Sequence, residues 1–281
     1  MRIDLHTHTY HSDGSLSPKE LVDFAIKRNI KLLAITDHDV ISGVREVRDY
    51  SKSKNIVVIP GIEITSSVKN KKETIHIVGL YIDINSNKIK EMSDKIIKLK
   101  KYKTQKRLKL INKIFGGNIN LEDLKKKTKG TPGLPHIGMV LLDKGYVKTI
   151  GEGIRSMTKG GICYINFSDK IISAKEAIHI IHDAGGIAIL AHLSAYKNEK
   201  KFITFEEQES LINELVEYGL DGLEIYIPDA TKEEIAFGKR MAKKYNLKLS
   251  GGSDFHDEKF IPQNKLGFLD INKNKLTVIQ S

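Results

Sequence analysis

The sequence has 281 residues, 40% of them hydrophobic, which allows a sizeable buried core and excludes a wholly disordered chain. A formal charge of +11 favours acidic partners such as phosphates or nucleic acid, unless the lysines serve only as a solvated surface. One cysteine, Cys163, rules out an internal disulfide and suits a reducing compartment, while the lack of a membrane-length apolar run or a signal peptide leads us to expect a cytoplasmic protein.

Arg2 to His8 reads as the first strand, with Ile3 and Leu5 on one side and Asp4, His6 and His8 on the other. Two imidazoles spaced about 7 Å apart along a strand can converge on one metal ion, although His-x-His also occurs by chance in polar loops. Asp4 is expected either to orient a ligand imidazole or to be a hydrogen-bonded buried acid. Gly14 follows Asp13 where the chain must turn. Ser17-Pro18-Lys19-Glu20 supplies an N-cap, a proline at the first helical position and a capping-box glutamate, opening a helix through Leu21, Phe24, Ala25 and Arg28.

Lys31 to Thr36 is a short apolar run, the pattern of a strand buried on both faces, and it ends in Asp37-His38-Asp39. Ile56 to Gly61 forms a third strand, followed at once by Glu63. Residues 63 to 81 suggest a hairpin or two short strands around Lys69-Asn70-Lys71-Lys72, with His76 on the return strand between two isoleucines. Such a histidine is commonly a satisfied strand residue; the neighbouring polar clusters raise the ligand reading above that. Residues 86 to 115 read as helix, with Ile89, Met92, Ile96 and Leu99 on one stripe and Leu108, Ile111 and Phe115 on another. The basic run from Lys98 to Lys113 is either a solvated helical face or the rim of an anion site.

Leu121 to Thr128 and His136 to Leu142 are expected as short helices, separated by the rigid Thr131-Pro132-Gly133-Leu134-Pro135 turn. Residues 98–164 contain no convincing buried strand and read as a small helical insertion in an otherwise βα-alternating chain, between 1–97 and 165–281. The alternation resumes with a helix over Ser173 to Ala184, a strand over Ile187 to Ala191 ending at His192, and a helix over Leu211 to Tyr218. A strand over Gly222 to Tyr226, a helix over Thr231 to Tyr245 and a strand over Leu247 to Ser250 follow. The last strand leads into Gly251-Gly252-Ser253-Asp254-Phe255-His256.

Polar groups thus follow successive strands: His6 and His8, His38, Glu63, His192, then Asp254 and His256. Parallel strands of one sheet or barrel bring such ends to a single face, which points to a metal site. No Gly-x-Ser-x-Gly elbow, P-loop or GxGxxG fingerprint is present. An amidohydrolase would also place His-x-His after a first barrel strand.

The set His6-Thr7-His8, Ser12-Asp13-Gly14, Thr36-Asp37-His38-Asp39, Pro60-Gly61-x-Glu63, His76, Ala191-His192 and Gly252-Ser253-Asp254-Phe255-His256 resembles the PHP (polymerase and histidinol phosphatase) family over essentially the whole chain. The Gly-Ser-Asp-Phe-His ending fits this family better than the amidohydrolases. The resemblance implies an α/β fold, a distorted (β/α)7 TIM-like barrel, whose helical insertion caps the active site. It also implies two to three divalent metal ions, Mn, Zn or Fe. Carried over residue by residue, His6, His8, Glu63 and Asp254 would hold the first metal, and Glu63 would bridge to a second completed by His76 and His192. Asp13, His38 and His256 would hold the third. Asp13 stands where many members have histidine, which makes that site harder and favours Mn²⁺ or Fe²⁺ beside Zn²⁺.

Similarity to the nucleoside 3′,5′-bisphosphate phosphatases that also trim short RNA from its 5′ end implies a metal-dependent phosphoesterase. Its substrate would be a nucleoside 3′,5′-bisphosphate or a short 5′-phosphorylated oligoribonucleotide, attacked by hydroxide generated at the metals. Glu63, Asp254 and His192 would be catalytic, Arg107 and His136 would bind substrate phosphate, and the general acid is open between a metal-bound water and His136. Leu134 replaces an arginine usual in this subgroup, removing a bidentate phosphate clamp and weakening the substrate assignment. The alternatives are a histidinol-phosphate phosphatase or a non-catalytic nucleic-acid-binding module. No membrane association and no obligate protein partner are expected.

Overall fold

In the computed structural model, residues 2–68, 74–167, 171–194, 204–258, 261–269 and 275–279 are described. Strand β1 (Arg2–Asp4) pairs in parallel with β2 (Ile30–Ile35), and β2 in parallel with the first residues of β3 (Val57–Ser67). From Gly61 onward β3 changes partner and runs antiparallel to β4 (Thr74–Leu80). Strand β4 is in turn antiparallel to β5 (Ile187–Leu190), after which β6 (Gly222–Tyr226) and β7 (Lys248–Gly251) continue in parallel. The seven strands stand in sequence order. Past the strand ends the sheet closes on itself: Leu5 N–H donates to Gly251 O (3.3 Å), His8 N–H donates to Phe255 O (2.8 Å), and Thr7 bridges Phe255 in parallel. The result is the distorted TIM-like barrel expected from the sequence.

Two details differ from the sequence reading. Only Arg2–Asp4 is strand, so His6 and His8 lie just beyond β1, in the extended segment that closes the barrel. Glu63 lies inside β3 rather than after it. Pro60-Gly61, where the third strand was expected to end, marks the change from a parallel to an antiparallel partner. The antiparallel β3–β4 pair is the expected hairpin; its connecting Lys69-Asn70-Lys71-Lys72 lies outside the described residues.

Helix α1 (Pro18–Lys27) begins as the sequence dictates: the Ser17 hydroxyl accepts from Glu20 N–H (3.2 Å) and the Glu20 carboxylate accepts from Ser17 N–H (2.8 Å). Such a cap stabilises a helix by about 1 kcal/mol. After α2 (Ser42–Val47), helix α3 (Asn87–Phe115) runs unbroken for 29 residues, about 43 Å at 1.5 Å per residue. The two apolar stripes therefore belong to one helix, and residues 97 and 98 fall within it.

Ile89 and Met92, at one end of α3, join the barrel core of Ile3, Leu5, Ile62, Ile77, Leu190 and their neighbours. Leu108 and Ile111, toward the other end, join a second apolar cluster. That cluster draws on α4 (Leu121–Lys125), α5 (Leu134–Asp143) and α6 (Ile150–Met157) through Leu124, Ile137, Leu141 and Met157, with Cys163. Each fully buried aliphatic side chain contributes about 1.5–3 kcal/mol, so the second cluster is a substantial core of its own. Helices α7 (Ala174–Asp183), α8 (Phe205–Glu217) and α9 (Lys232–Tyr245) complete the βα units. No helix among the described residues is long and apolar enough to cross a membrane.

Candidate metal centre

The loops after β1 and β7 are fixed to one another by buried hydrogen bonds. Asp4 accepts from Ser253 N–H (2.8 Å), the Ser253 hydroxyl (2.6 Å) and Gly267 N–H (2.7 Å), so of its two expected roles it plays the buried, hydrogen-bonded acid. Burial pushes its carboxyl up to about 6 against the pull of these donors. At Gly252 a Cβ would stand 2.4 Å from His6 Cβ, and only glycine lets the two segments approach this closely. Asp254 and His256 are thereby laid beside His6 and His8.

The loop over residues 9–14 is folded by Asp37, which accepts from Thr9 N–H (2.7 Å), the Thr9 hydroxyl (2.8 Å) and the Ser12 hydroxyl (2.7 Å). A Cβ at Gly14 would collide with His8 O at 2.4 Å, which explains the glycine at this turn. The turn returns Asp13 to His256, Oδ1 to Nε2 3.2 Å.

All nine side chains carried over as ligands come together. His6 Nε2 lies 3.3 Å from Glu63 Oε1 and 3.5 Å from Asp254 Oδ1; His8 Nε2 lies 3.3 Å from Glu63 Oε2 and 3.1 Å from Asp254 Oδ1. Glu63 Oε1, His76 Nδ1 and His192 Nε2 form a triangle with sides of 3.0, 3.1 and 3.1 Å. Asp13 faces His256, with His38 Nε2 and His8 Nδ1 each at 3.8 Å. Two imidazoles stand between sets: His8 is within reach of the first and third, and His38 of the second and third.

The donor atoms fit divalent cations. His6 Nε2, His8 Nε2 and Glu63 Oε2 are buried with no hydrogen-bond partner among the described residues. His38 Nδ1 is 2.9 Å from Glu63 Oε2 yet misaligned for a hydrogen bond. Each such orphaned group costs about 1–3 kcal/mol, a penalty that a shared cation removes. The mixture of imidazole and carboxylate suits Zn, Mn or Fe.

Charge adjusts accordingly. Burial alone would raise Glu63, Asp13 and Asp254, but the imidazoles around them hold all three carboxyls below the usual range. Burial would likewise lower the imidazoles, but Glu63 and Asp13 push His38 up to about 9, and Asp13 and Asp254 push His256 up to about 10. His76 is lowered, chiefly by burial. Protons on imidazole thus occupy the role that cations would take.

Backbone strain gathers at the same place. Asp39, His192 and Asp254 have φ of 63°, 33° and 52°. Non-glycine residues in this region cost about 1–3 kcal/mol each and persist where neighbours fix them. Asp39 N–H donates to Glu63 O (2.8 Å), and the Asp39 carboxylate accepts from Thr65 N–H (2.9 Å) and lies 2.8 Å from Lys100 Nζ. His192 N–H donates to Glu224 Oε2 (2.7 Å).

His136 is buried, and its Nδ1 accepts from Gly133 N–H (3.0 Å), so the neutral ring carries its hydrogen on Nε2. Burial lowers its pKa. With Asp13, His38 and Lys100 it lines a cavity of about 40 Å³, and with Asp13, Tyr10 and Asp257 a wider cleft of about 780 Å³. Arg107 is not within this cluster. Its guanidinium lies 5.1 Å from the Phe167 ring centroid, half-buried, and its Nε has no hydrogen-bond partner among the described residues. It sits two helical turns beyond Lys100 on the same face of α3, about 10 Å along the axis. His11 pairs with Glu46 (2.9 Å) instead of joining the cluster.

Sequence reasoning missed Glu224, Asp37 and the Asp39–Lys100 pair as site residues. Glu224 left one signal, an acid in the middle of the otherwise apolar strand Gly222-Leu223-Glu224-Ile225-Tyr226.

The PHP domain model matches residues 4–225. A 5′-3′ exoribonuclease of Haemophilus influenzae is 32% identical over 97% of this chain and 94% of its own length. A 3′,5′-nucleoside bisphosphate phosphatase of Chromobacterium violaceum is 30% identical over 90% of this chain and 87% of its own. A crystal structure from Bifidobacterium adolescentis, of a protein assigned to the metal-dependent phosphoesterases, superposes with a TM-score of 0.80 at 25% identity, covering 98% of this chain and 92% of that one. Similarity of this extent, on a barrel whose strand ends converge on orphaned imidazole and carboxylate donors, makes the chain a member of the PHP domain family and a metal-dependent phosphoesterase.

Proposed function

We propose that the enzyme removes phosphate from nucleoside 3′,5′-bisphosphates or cleaves short 5′-phosphorylated oligoribonucleotides. The observation that carries this reading is the placement of His136, a residue of the 98–164 segment, on the same cavity as Asp13 and His38. A neutral donor from outside the barrel meets the site where a phosphoryl group would be held. Near full-length similarity to an exoribonuclease and to a nucleoside bisphosphate phosphatase supports the nucleotide class.

His6, His8, Glu63 and Asp254 hold the first of two to three divalent ions, Mn, Zn or Fe. Glu63, His76 and His192 hold the second, and Asp13, His38 and His256 the third. Such ions lower the pKa of water toward neutrality and offset charge on phosphoryl oxygens. The protein contributes position. Glu63, fully buried in β3, lies against His6, His8, His38, His76 and His192 and sets the distance between the first two sets. His136 donates from Nε2 to a non-bridging phosphoryl oxygen; as a neutral imidazole it holds the substrate and does not protonate the leaving group. Arg107, a cation with no partner at Nε among the described residues, receives a second phosphate or the nucleotide backbone.

Residues 98–164 act as a cap over the barrel formed by 1–97 and 165–281, with α3 as the shared element. The lone buried thiol supports a cytoplasmic setting. A panel of phosphate esters assayed with Mn²⁺ tests the substrate class. The 3′,5′-bisphosphonucleosides and 5′-phosphorylated dinucleotides are expected to turn over faster than histidinol phosphate. Preference for histidinol phosphate, or tight RNA binding without turnover, contradicts the proposal.

A further inference from the structure

Glu224 lies at the centre of β6, 2% exposed, behind the imidazoles rather than among them. Its carboxylate makes two kinds of contact. Both oxygens are within reach of His6 Nδ1, at 3.1 and 3.0 Å, and Oε2 also accepts the His192 N–H at 2.7 Å. His6 belongs to the first ligand set and His192 to the second. One acid on one strand therefore holds a residue of each.

Chemistry makes the two contacts different in kind. By accepting from Nδ1–H of His6, Glu224 fixes the tautomer that leaves the Nε2 lone pair directed at Glu63 and Asp254. By accepting from His192 N–H, it holds the backbone of a residue with φ of 33°, an energetically poor conformation that aims His192 Nε2 at Glu63 Oε1. We propose that Glu224 is a positioning residue that couples the first and second metal sites, so that its loss weakens both together and leaves the Asp13–His38–His256 site intact. This rests on the metal assignment above.

Glu224→Gln is the informative substitution because it preserves volume but not acceptor count. Two N–H donors face this carboxylate, and an amide has a single oxygen to offer them. If that oxygen serves His192, the amide NH₂ is left facing His6 Nδ1 and favours the other tautomer, with hydrogen on Nε2. Metal-free protein is titrated with Mn²⁺ by calorimetry, and bound metal is counted by elemental analysis. Wild type is expected to fill the first and second sites cooperatively. Glu224→Gln is expected to weaken both by about 10–100-fold while retaining the third, and to recover turnover at elevated Mn²⁺. Glu224→Asp, which keeps the charge and shortens the reach, gives an intermediate loss and stands in should the amide variant fail to fold. Wild-type affinity at both sites in a folded Glu224 variant, or weakening of only one, overturns the coupling while leaving the metal assignment standing. Wild-type protein that takes up no Mn²⁺ overturns both.

Discussion

Glu63 Oε2 lies 2.9 Å from His38 Nδ1 without forming a hydrogen bond, while its other oxygen closes a triangle with His76 and His192. The same carboxylate thus borders all the imidazoles of the first two sets, and no other acid in the cluster does. Glu63→Ala should leave the fold in place and reduce turnover by more than the roughly 10–100-fold loss typical of an outer partner. Asp254→Ala should behave alike. Near wild-type rates in either variant, with Mn²⁺ present, would show that the ligand assignment is wrong.

Loading with metal should release protons. His38 and His256 titrate at about 9 and about 10 in the metal-free protein, so both carry a proton at neutral pH that a cation must displace. Glu224, Glu63 and Asp254 likewise hold His6 well above the ordinary imidazole value, so at least three protons per molecule are expected when calorimetric titrations are compared in buffers of different ionisation enthalpy. An enthalpy independent of buffer would contradict this.

The same shifts set the pH dependence of metal-free stability. His38 and His256 are raised above the ordinary imidazole value, so their contribution is complete below about 6.5 and is lost as pH rises through about 9 to 10. Asp13 and Glu63 are lowered, so theirs is present above the ordinary carboxylate value of about 4 and is lost as pH falls further. Melting temperature of the metal-free protein should therefore decline between about pH 7 and pH 10, and Mn²⁺ should flatten the decline. Stability rising through that range would be inconsistent with these pairs.

His136→Ala should raise the inhibition constant for inorganic phosphate by about tenfold, the equivalent of one hydrogen bond of about 1.4 kcal/mol, with bound metal unchanged. Arg107→Ala should raise KM for a nucleoside bisphosphate more than for a simple monophosphate ester. Loss of metal in His136→Ala would instead mark that residue as part of the cluster's support.

Asp37 accepts three hydrogen bonds from Thr9 and Ser12 and fixes the loop that returns Asp13 to His256. Asp37→Ala should cost about 2–4 kcal/mol in urea unfolding and selectively weaken the third metal site. Retained stability and full metal content would count against this role.

Much of this site was legible in the sequence because its candidate ligands are chemically conspicuous and follow buried apolar runs. His6, His8, His38, His192, Asp254 and His256 could be placed at strand ends from the apolar stretches before them. Glu63 was singled out as a candidate ligand but not as a residue within β3, because the apolar run ends at Pro60-Gly61, where the strand in fact changes partner and continues. Glu224 was hidden in an apolar strand, where only the three-dimensional approach of His6 and His192 reveals what its carboxylate does. The helix over residues 86 to 115 was legible from its apolar stripes, but the pairing of Lys100 with Asp39, which ties α3 to the site, was not, because Lys100 is one of a run of lysines.

Exhaustive chelation followed by stepwise return of Mn²⁺, assayed on a 5′-phosphorylated dinucleotide, reads the dependence of turnover on metal. Turnover should be abolished by chelation and restored in proportion to metal bound at the Glu63 sites. Turnover that survives complete metal removal would contradict that dependence.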